Sequence, residues 1–297
     1  MRFGTLIVLA MIFTGMMMSC EEGIRTDSST GTLKIRMTDA PFPTDMVAEA
    51  NVVINKIEIR EKMEENEGNP FTVLSEEVFS FNLLDLTNGV SANLVDIEID
   101  TGVYDLVRLY VAEASIMLKD STVYDMKVPS GAQTGIKIFI DPAVEVAGGL
   151  TAELMLDFNV SKSFVVQGNP NTPAGIKGFI FKPVIKASNM TYAGRITGMV
   201  VDTSDVAVDG VEVAVIAADT VYTTSFTDST GMYAIIGVDA GMYNVEFAKE
   251  GYLGVVVDDV EVVAGNATYV DAVITPVEGA GDDEGEGEGE GEGEGNG

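Results

Sequence analysis

Val52-Val53-Ile54-Asn55-Lys56-Ile57-Glu58-Ile59-Arg60 alternates apolar and polar residues with a period of two. That is the signature of a strand with one face in a core and one in water. Thr32-Leu33-Lys34-Ile35-Arg36-Met37 repeats the pattern upstream. Downstream, alternating or β-rich runs fall near 78–84, 94–99, 104–118, 122–128, 135–140, 150–158, 163–167 and 177–187. Turn residues separate them, among them Asp120-Ser121, Pro129-Ser130-Gly131 and Gly148-Gly149. No long helical period appears. Many short strands with regular turns predict an all-β protein of the sandwich or barrel kind.

The rest of the composition narrows function mainly by exclusion. The chain has 297 residues, room for one large domain or two ordinary ones. Its 46% hydrophobic content is enough to fill globular cores, and its formal charge is −30. So acidic a surface repels phosphate backbones, which argues against nucleic-acid binding. There is no histidine. A Ser-His-Asp triad, a Cys-His pair and an imidazole metal ligand are therefore all impossible. One cysteine permits neither an internal disulfide nor a thiolate cluster. No tryptophan is present to stack on sugar rings. No cofactor or metal motif is read.

At the N-terminus, Arg2 precedes an uncharged run from Phe3 to Met18. That run has the size of a secretory apolar region and is short of the ~20 residues of a membrane span. It ends Met17-Met18-Ser19-Cys20. This resembles a bacterial lipobox, which implies a lipoprotein signal peptide over 1–19 and acylation of Cys20. Two or more acyl chains would anchor the protein stably. Residues 20–30 are polar and read as a flexible tether. The Glu21-Glu22 pair resembles the surface-export signal of Bacteroidetes lipoproteins, which implies an outer-membrane or cell-surface location.

Several separate motifs carry a further resemblance. They are Gly31-Thr32-Leu33-Lys34-Ile35-Arg36-Met37-Thr38-Asp39-Ala40-Pro41, Leu83-Leu84-Asp85-Leu86-Thr87-Asn88-Gly89, Val128-Pro129-Ser130-Gly131 with Gly135-Ile136-Lys137-Ile138, Leu156-Asp157-Phe158, and Phe181-Lys182-Pro183-Val184-Ile185. In this order they resemble the family catalogued as domain of unknown function 4382, over residues 31–188. That family implies no known activity. Residues 193–276 form a second unit with Gly194-Arg195-Ile196-Thr197-Gly198, Asp228-Ser229-Thr230-Gly231-Met232-Tyr233 and Gly241-Met242-Tyr243-Asn244-Val245-Glu246-Phe247. It is similar to the carboxypeptidase regulatory-like family, a transthyretin-like sandwich of seven strands. Independently of that likeness, Tyr243, Val245 and Phe247 share one strand face and read as core. Residues 277–297 contain six Glu-Gly repeats and read as a disordered acidic tail.

Candidate chemistry is sparse. Asp96, Glu98 and Asp100 share one strand face, which reads either as solvated or as a set of oxygen ligands for Ca²⁺. Asp202, Asp205 and Asp209 surround a turn but lack an EF-hand pattern. Asp120-Ser121-Thr122, Asp219-Thr220-Val221 and Asp228-Ser229-Thr230 resemble a Bacteroidetes O-glycosylation motif, and each also reads as a turn. Two loops of the first unit are candidates for recognition: Asp39 to Asp45, with Phe42 between two prolines, and Gln167 to Gly175, rich in amides. The resulting expectation is a non-catalytic lipoprotein of the cell envelope that binds a glycan or protein, or serves surface structure. Its membrane contact would be the lipid on Cys20. The alternatives are a carbohydrate-binding surface lipoprotein and a hydrolase that uses carboxylates alone.

Overall fold

The computed structural model describes residues 29–40, 46–63, 71–128, 134–169 and 175–277. Cys20, the loop residue Phe42, the 170–174 part of the amide-rich loop and the Glu-Gly repeats lie outside the described residues.

Twelve strands make the first unit: β1 (Thr30–Ala40), β2 (Val47–Glu61), β3 (Phe71–Ser75), β4 (Phe79–Asn82), β5 (Ala92–Asp100), β6 (Gly102–Leu118), β7 (Val123–Met126), β8 (Ile136–Val146), β9 (Thr151–Asn159), β10 (Phe164–Gly168), β11 (Ile176–Phe181) and β12 (Ile185–Asn189). Ten of them form one sheet in the order β3-β2-β6-β8-β12-β9-β1-β5, with β4 beside β2 and β7 beside β6. The two ends of this path, β3 and β5, lie against each other, so the sheet curls around a single apolar core. Curling leaves little open edge. β2 and β6 are the long members and pair antiparallel from Val47↔Leu118 to Glu61↔Tyr104. Register slips at Ile54/Lys56 bring Ile54 and Ile57, three residues apart, to the same buried side.

The apolar run near 177–187 is two strands. Lys182-Pro183-Val184 interrupts it, and proline offers no N–H to a ladder. β11 pairs with β10 as a ribbon, whereas β12 joins the main sheet beside β9. The ribbon stacks Phe181 on Phe158 and sets Phe164 against Phe181, which brings all three rings into the core. Two family-motif residues tie the ends together. The Thr38 hydroxyl lies 2.9 Å from the carbonyls of Leu86 and Val90, and the buried Asp39 accepts from the Val160 N–H.

The second unit is a β-sandwich. It contains β13 (Ala193–Asp202), β14 (Glu212–Ala217), β15 (Thr220–Phe226), β16 (Met232–Asp239), β17 (Gly241–Ala248), β18 (Tyr252–Leu253), β19 (Val255–Val262), β20 (Ala267–Tyr269) and β21 (Ala272–Pro276). One sheet runs β16-β13-β21-β18 with β20 beside β13, and the other runs β15-β14-β17-β19. Without the short β18 and β20, seven strands remain, the number the resemblance implied. Tyr243, Val245 and Phe247 are buried on one face as their spacing predicts. Tyr233 joins them, its hydroxyl donating to the Val270 carbonyl at 2.7 Å. Only a tight turn separates the units: the Tyr192 N–H bonds the Asn189 carbonyl at 2.9 Å.

Candidate functional site

The register of β3, β2, β6 and β8 sets side chains of the outer face in rows. Phe71, Arg60, Leu106 and Phe139 are mutual partners in one row, and Val73, Glu58, Arg108 and Lys137 in the next. Lys56 and Tyr110 pair in the row beyond. Side chains two apart on a strand share a face, so these groups converge.

Glu58 is the centre of the face. It is only 7% exposed, yet charged, and it is fully engaged. Lys56 Nζ lies 2.6 Å from Oε1, while Arg108 Nη1 and the Tyr110 hydroxyl reach Oε2 at 3.2 and 2.9 Å. Burial pushes the Glu58 carboxyl up, but the hydrogen bonds of Lys56 and Tyr110, with the charges of Lys56 and Arg108, outweigh it. The net effect holds the group below the usual carboxylate range. The same hydrogen bond holds Lys56 above the ordinary lysine value. The Arg108 guanidinium also lies over the Phe71 ring, 3.6 Å from its centroid. Beside this cluster, Arg60 grips Asp105 through two bonds of 2.8 Å, a bidentate fork. Phe139 stands at the edge of the face, 67% exposed.

This face offers fixed donors, two carboxylates paired to cations, Glu58 and Asp105, and an exposed ring. It holds no free base and no nucleophile poised beside one. Among the described residues no group of three acidic or cysteine side chains is placed to hold a metal ion. The arrangement suits recognition.

A second polar cluster lies between the two units. Lys186 of β12 reaches Asp239 of β16 at 3.2 Å, and the Tyr222 hydroxyl of β15 donates to the same oxygen at 2.6 Å. Lys186 bonds the Tyr222 hydroxyl as well and lies over its ring, 3.7 Å from the centroid. Nearby, the Ser188 hydroxyl donates to the Gly237 carbonyl at 2.7 Å. Farther along β16, the Asn88 carboxamide accepts from the Ala234 N–H at 2.6 Å and donates to the Met232 carbonyl at 3.3 Å. Gly89 follows at φ +81, where a Cβ would stand 2.9 Å from that of Ala234. Glycine is needed there twice over, for its dihedral and for the close approach.

The residues singled out by sequence are placed as follows. Asp96, Glu98 and Asp100 share an exposed face of β5, with Lys34 of β1 3.3 Å from Asp96. Asp202 anchors its own turn, accepting from the N–H groups of Ser204 and Val206. Asp228 likewise accepts from Thr230 and Met232, and the Thr230 hydrogen bonds hold its carboxyl below the usual range. Asp120 accepts from the Thr122 N–H. These are turn anchors. Among the described residues none of these acidic sets forms a group placed to hold a metal ion. The outer face of β2, β6 and β8 was not among the sequence candidates. One signal for it was readable: in Ile136-Lys137-Ile138-Phe139-Ile140 a period of two puts Phe139 with Lys137, on the side opposite the three isoleucines.

A family model described as domain of unknown function (DUF4382) matches residues 30–183, more than half of the chain. A model described as carboxypeptidase regulatory-like domain matches residues 195–275. No curated protein matches the sequence. Among solved structures, a shaft pilin from Lactobacillus rhamnosus GG is 8% identical, with 84% of this chain and 98% of that chain covered and a TM-score of 0.28. A candidate carbohydrate-binding protein from Bacteroides uniformis is 24% identical, with 28% and 41% covered and a TM-score of 0.25. A cohesin–X-dockerin complex from Acetivibrio cellulolyticus is 20% identical, with 28% and 57% covered and a TM-score of 0.24. This chain thus spans less than half of the Bacteroides protein and little more than half of the Acetivibrio chain. Likenesses at such scores carry no functional argument.

Proposed function

We propose, for a chain that belongs to the family described as domain of unknown function (DUF4382) and continues into a carboxypeptidase regulatory-like domain, a non-catalytic role in binding or surface structure at the cell envelope. The protein is held to the outer membrane or cell surface by lipid on Cys20. The observation that supports recognition over catalysis is the state of Glu58. It is the most engaged carboxylate of the candidate face, and three partners hold it ionised. A carboxyl held that way is a poor general acid at neutral pH. The anchor rests on the sequence, where the one cysteine closes an apolar run.

Metabolic labelling with a fatty acid tests the anchor. Label should appear in the full-length protein and vanish in Cys20→Ala, which should also leave the membrane fraction. Persistent label would reject Cys20 as the site. Protease added to intact cells should degrade the protein if it faces outward. Turnover of any substrate in a glycosidase panel would reject the non-catalytic reading.

Carbohydrate capture is the second reading, favoured by Phe139, an exposed ring on the outer sheet face beside Leu106. A glycan array probed with the full-length protein in detergent, beside Phe139→Ala, would test it. Binding that survives the substitution would place the sugar elsewhere.

A further inference from the structure

β6 and β8 set two cations directly against each other. Arg108 and Lys137 are register partners on these antiparallel strands. Directly opposed side chains on one face stand about 5 Å apart at Cβ, and like charges placed so repel. The carboxylate of that row does not relieve Lys137. It is Glu58, and Lys56, Arg108 and Tyr110 hold both its oxygens. Asp105 is taken by the Arg60 fork. Lys137 is exposed and forms no ion pair among the described residues.

The charge balance of this face is the reverse of the chain's. Lys56, Arg60, Arg108 and Lys137 stand there with Glu58 and Asp105. The whole chain has 17 lysines and arginines against 47 acidic residues. Where acidic groups are so abundant, a pair of cations left short of them is a feature to explain. An anion from outside the fold relieves the repulsion. Its neighbour indicates its shape. Phe139 lies two residues from Lys137, so both side chains leave the same side of β8, about 7 Å apart. The Phe139 ring is 67% exposed. A ligand that meets both has an apolar ring face and a negative group at its edge.

We infer that this face binds an acidic sugar, with the sugar ring on Phe139 and its carboxylate or sulfate on Lys137. The inference rests on the carbohydrate reading above and adds the charge to it. Lys137 selects the acidic sugar over a neutral one, because a neutral sugar leaves the repulsion with Arg108 in place. Arg108, held by Glu58 and by the Phe71 ring, adds positive potential without having to move. The acidic excess of the rest of the chain disfavours such a ligand elsewhere.

The test is a glycan array probed with the full-length protein in detergent. It carries uronate-bearing, sialylated and sulfated oligosaccharides, each beside a neutral form with the carboxylate esterified or the sulfate removed. Wild type should bind acidic members roughly tenfold or more above their neutral forms, and less as salt rises. The uronate and sialyl members against the sulfated ones tell carboxylate from sulfate. Lys137→Met should remove the preference and Lys137→Arg restore it, while Phe139→Ala should weaken acidic and neutral sugars alike. Lys137→Met should not lower the melting temperature, since it relieves a like-charge pair. Equal binding of acidic and neutral forms would overturn the acidic ligand and leave carbohydrate capture standing. No binding to any sugar would overturn both. A glutamate hexapeptide that competes as well as the acidic sugar would overturn the ring contact. A preference that survives Lys137→Met, or a lower melting temperature in that variant, would overturn Lys137 as its source.

Discussion

Two triads in this molecule use the same chemistry: Lys56, Glu58 and Tyr110 on the outer face of the first unit, and Lys186, Asp239 and Tyr222 between the units. In each, a lysine and a tyrosine hydroxyl converge on one carboxylate and the lysine lies over the ring. They differ in what holds them. The first is set by register between adjacent strands and is shielded, with a third cation, Arg108, on the same carboxylate. The second joins strands of different sheets, and its Lys186 and Asp239 side chains are 38% and 32% exposed. A charge cluster built into a ladder forms whenever the ladder forms. One built across a junction reports whether the junction is closed.

The largest effect should come from the shielded triad. Glu58→Gln leaves Lys56 and Arg108 beside a neutral group and should cost about 1–3 kcal/mol in denaturant unfolding. The pH dependence follows from the direction of its shift. Glu58 is held lower in the folded state, so its stabilisation is complete above the ordinary glutamate value of 4.5 and is lost as pH falls below it. The gap in melting temperature between wild type and Glu58→Gln should therefore close on acidification below that value. A gap that stays constant to pH 3 would deny the triad its electrostatic role.

Lys186→Met tests the junction and should cost less, about 0.5–1 kcal/mol, because solvent screens a pair this exposed. The discriminating measurement is local: protection of the Ala234 amide should fall while the amides of β2 and β6 keep theirs. Equal loss in both places would mean that the triads are not distinct in kind. The smallest effect belongs to Phe139→Ala, within about 0.5 kcal/mol of wild type since the ring is 67% exposed. A large drop in melting temperature would make Phe139 a packing residue and remove it from the binding face.

The same contrast marks what could be read beforehand. Period-two alternation gave the β1 and β2 faces and the Tyr243-Val245-Phe247 core, because strand geometry acts within a few residues. Lys56 and Glu58 lie two apart, so their common face is written locally. Arg108 meets Glu58 across 50 positions, and Asn88 meets Ala234 across 146. No local pattern encodes such pairs. Leu83 to Gly89 was legible as a family motif, but not the reason its last two residues are Asn and Gly. The split of the 177–187 run was available at Pro183, whose missing N–H denies it a place in a ladder. Phe42 and Cys20 lie outside the described residues, so their roles rest on the sequence.

The pairing of β13 with β21 has a mechanical consequence. These are the first and last strands of the sandwich, and they run parallel from Val200↔Ala272 to Asp202↔Ile274. Tension applied between Ala193, where the chain enters, and Pro276, where it leaves, slides one strand along the other. The bonds between them then share the force and fail together, whereas a hairpin pulled from its open end gives way one bond at a time. Drag on whatever follows Pro276 would meet a clasp closed against it before it reached the first unit.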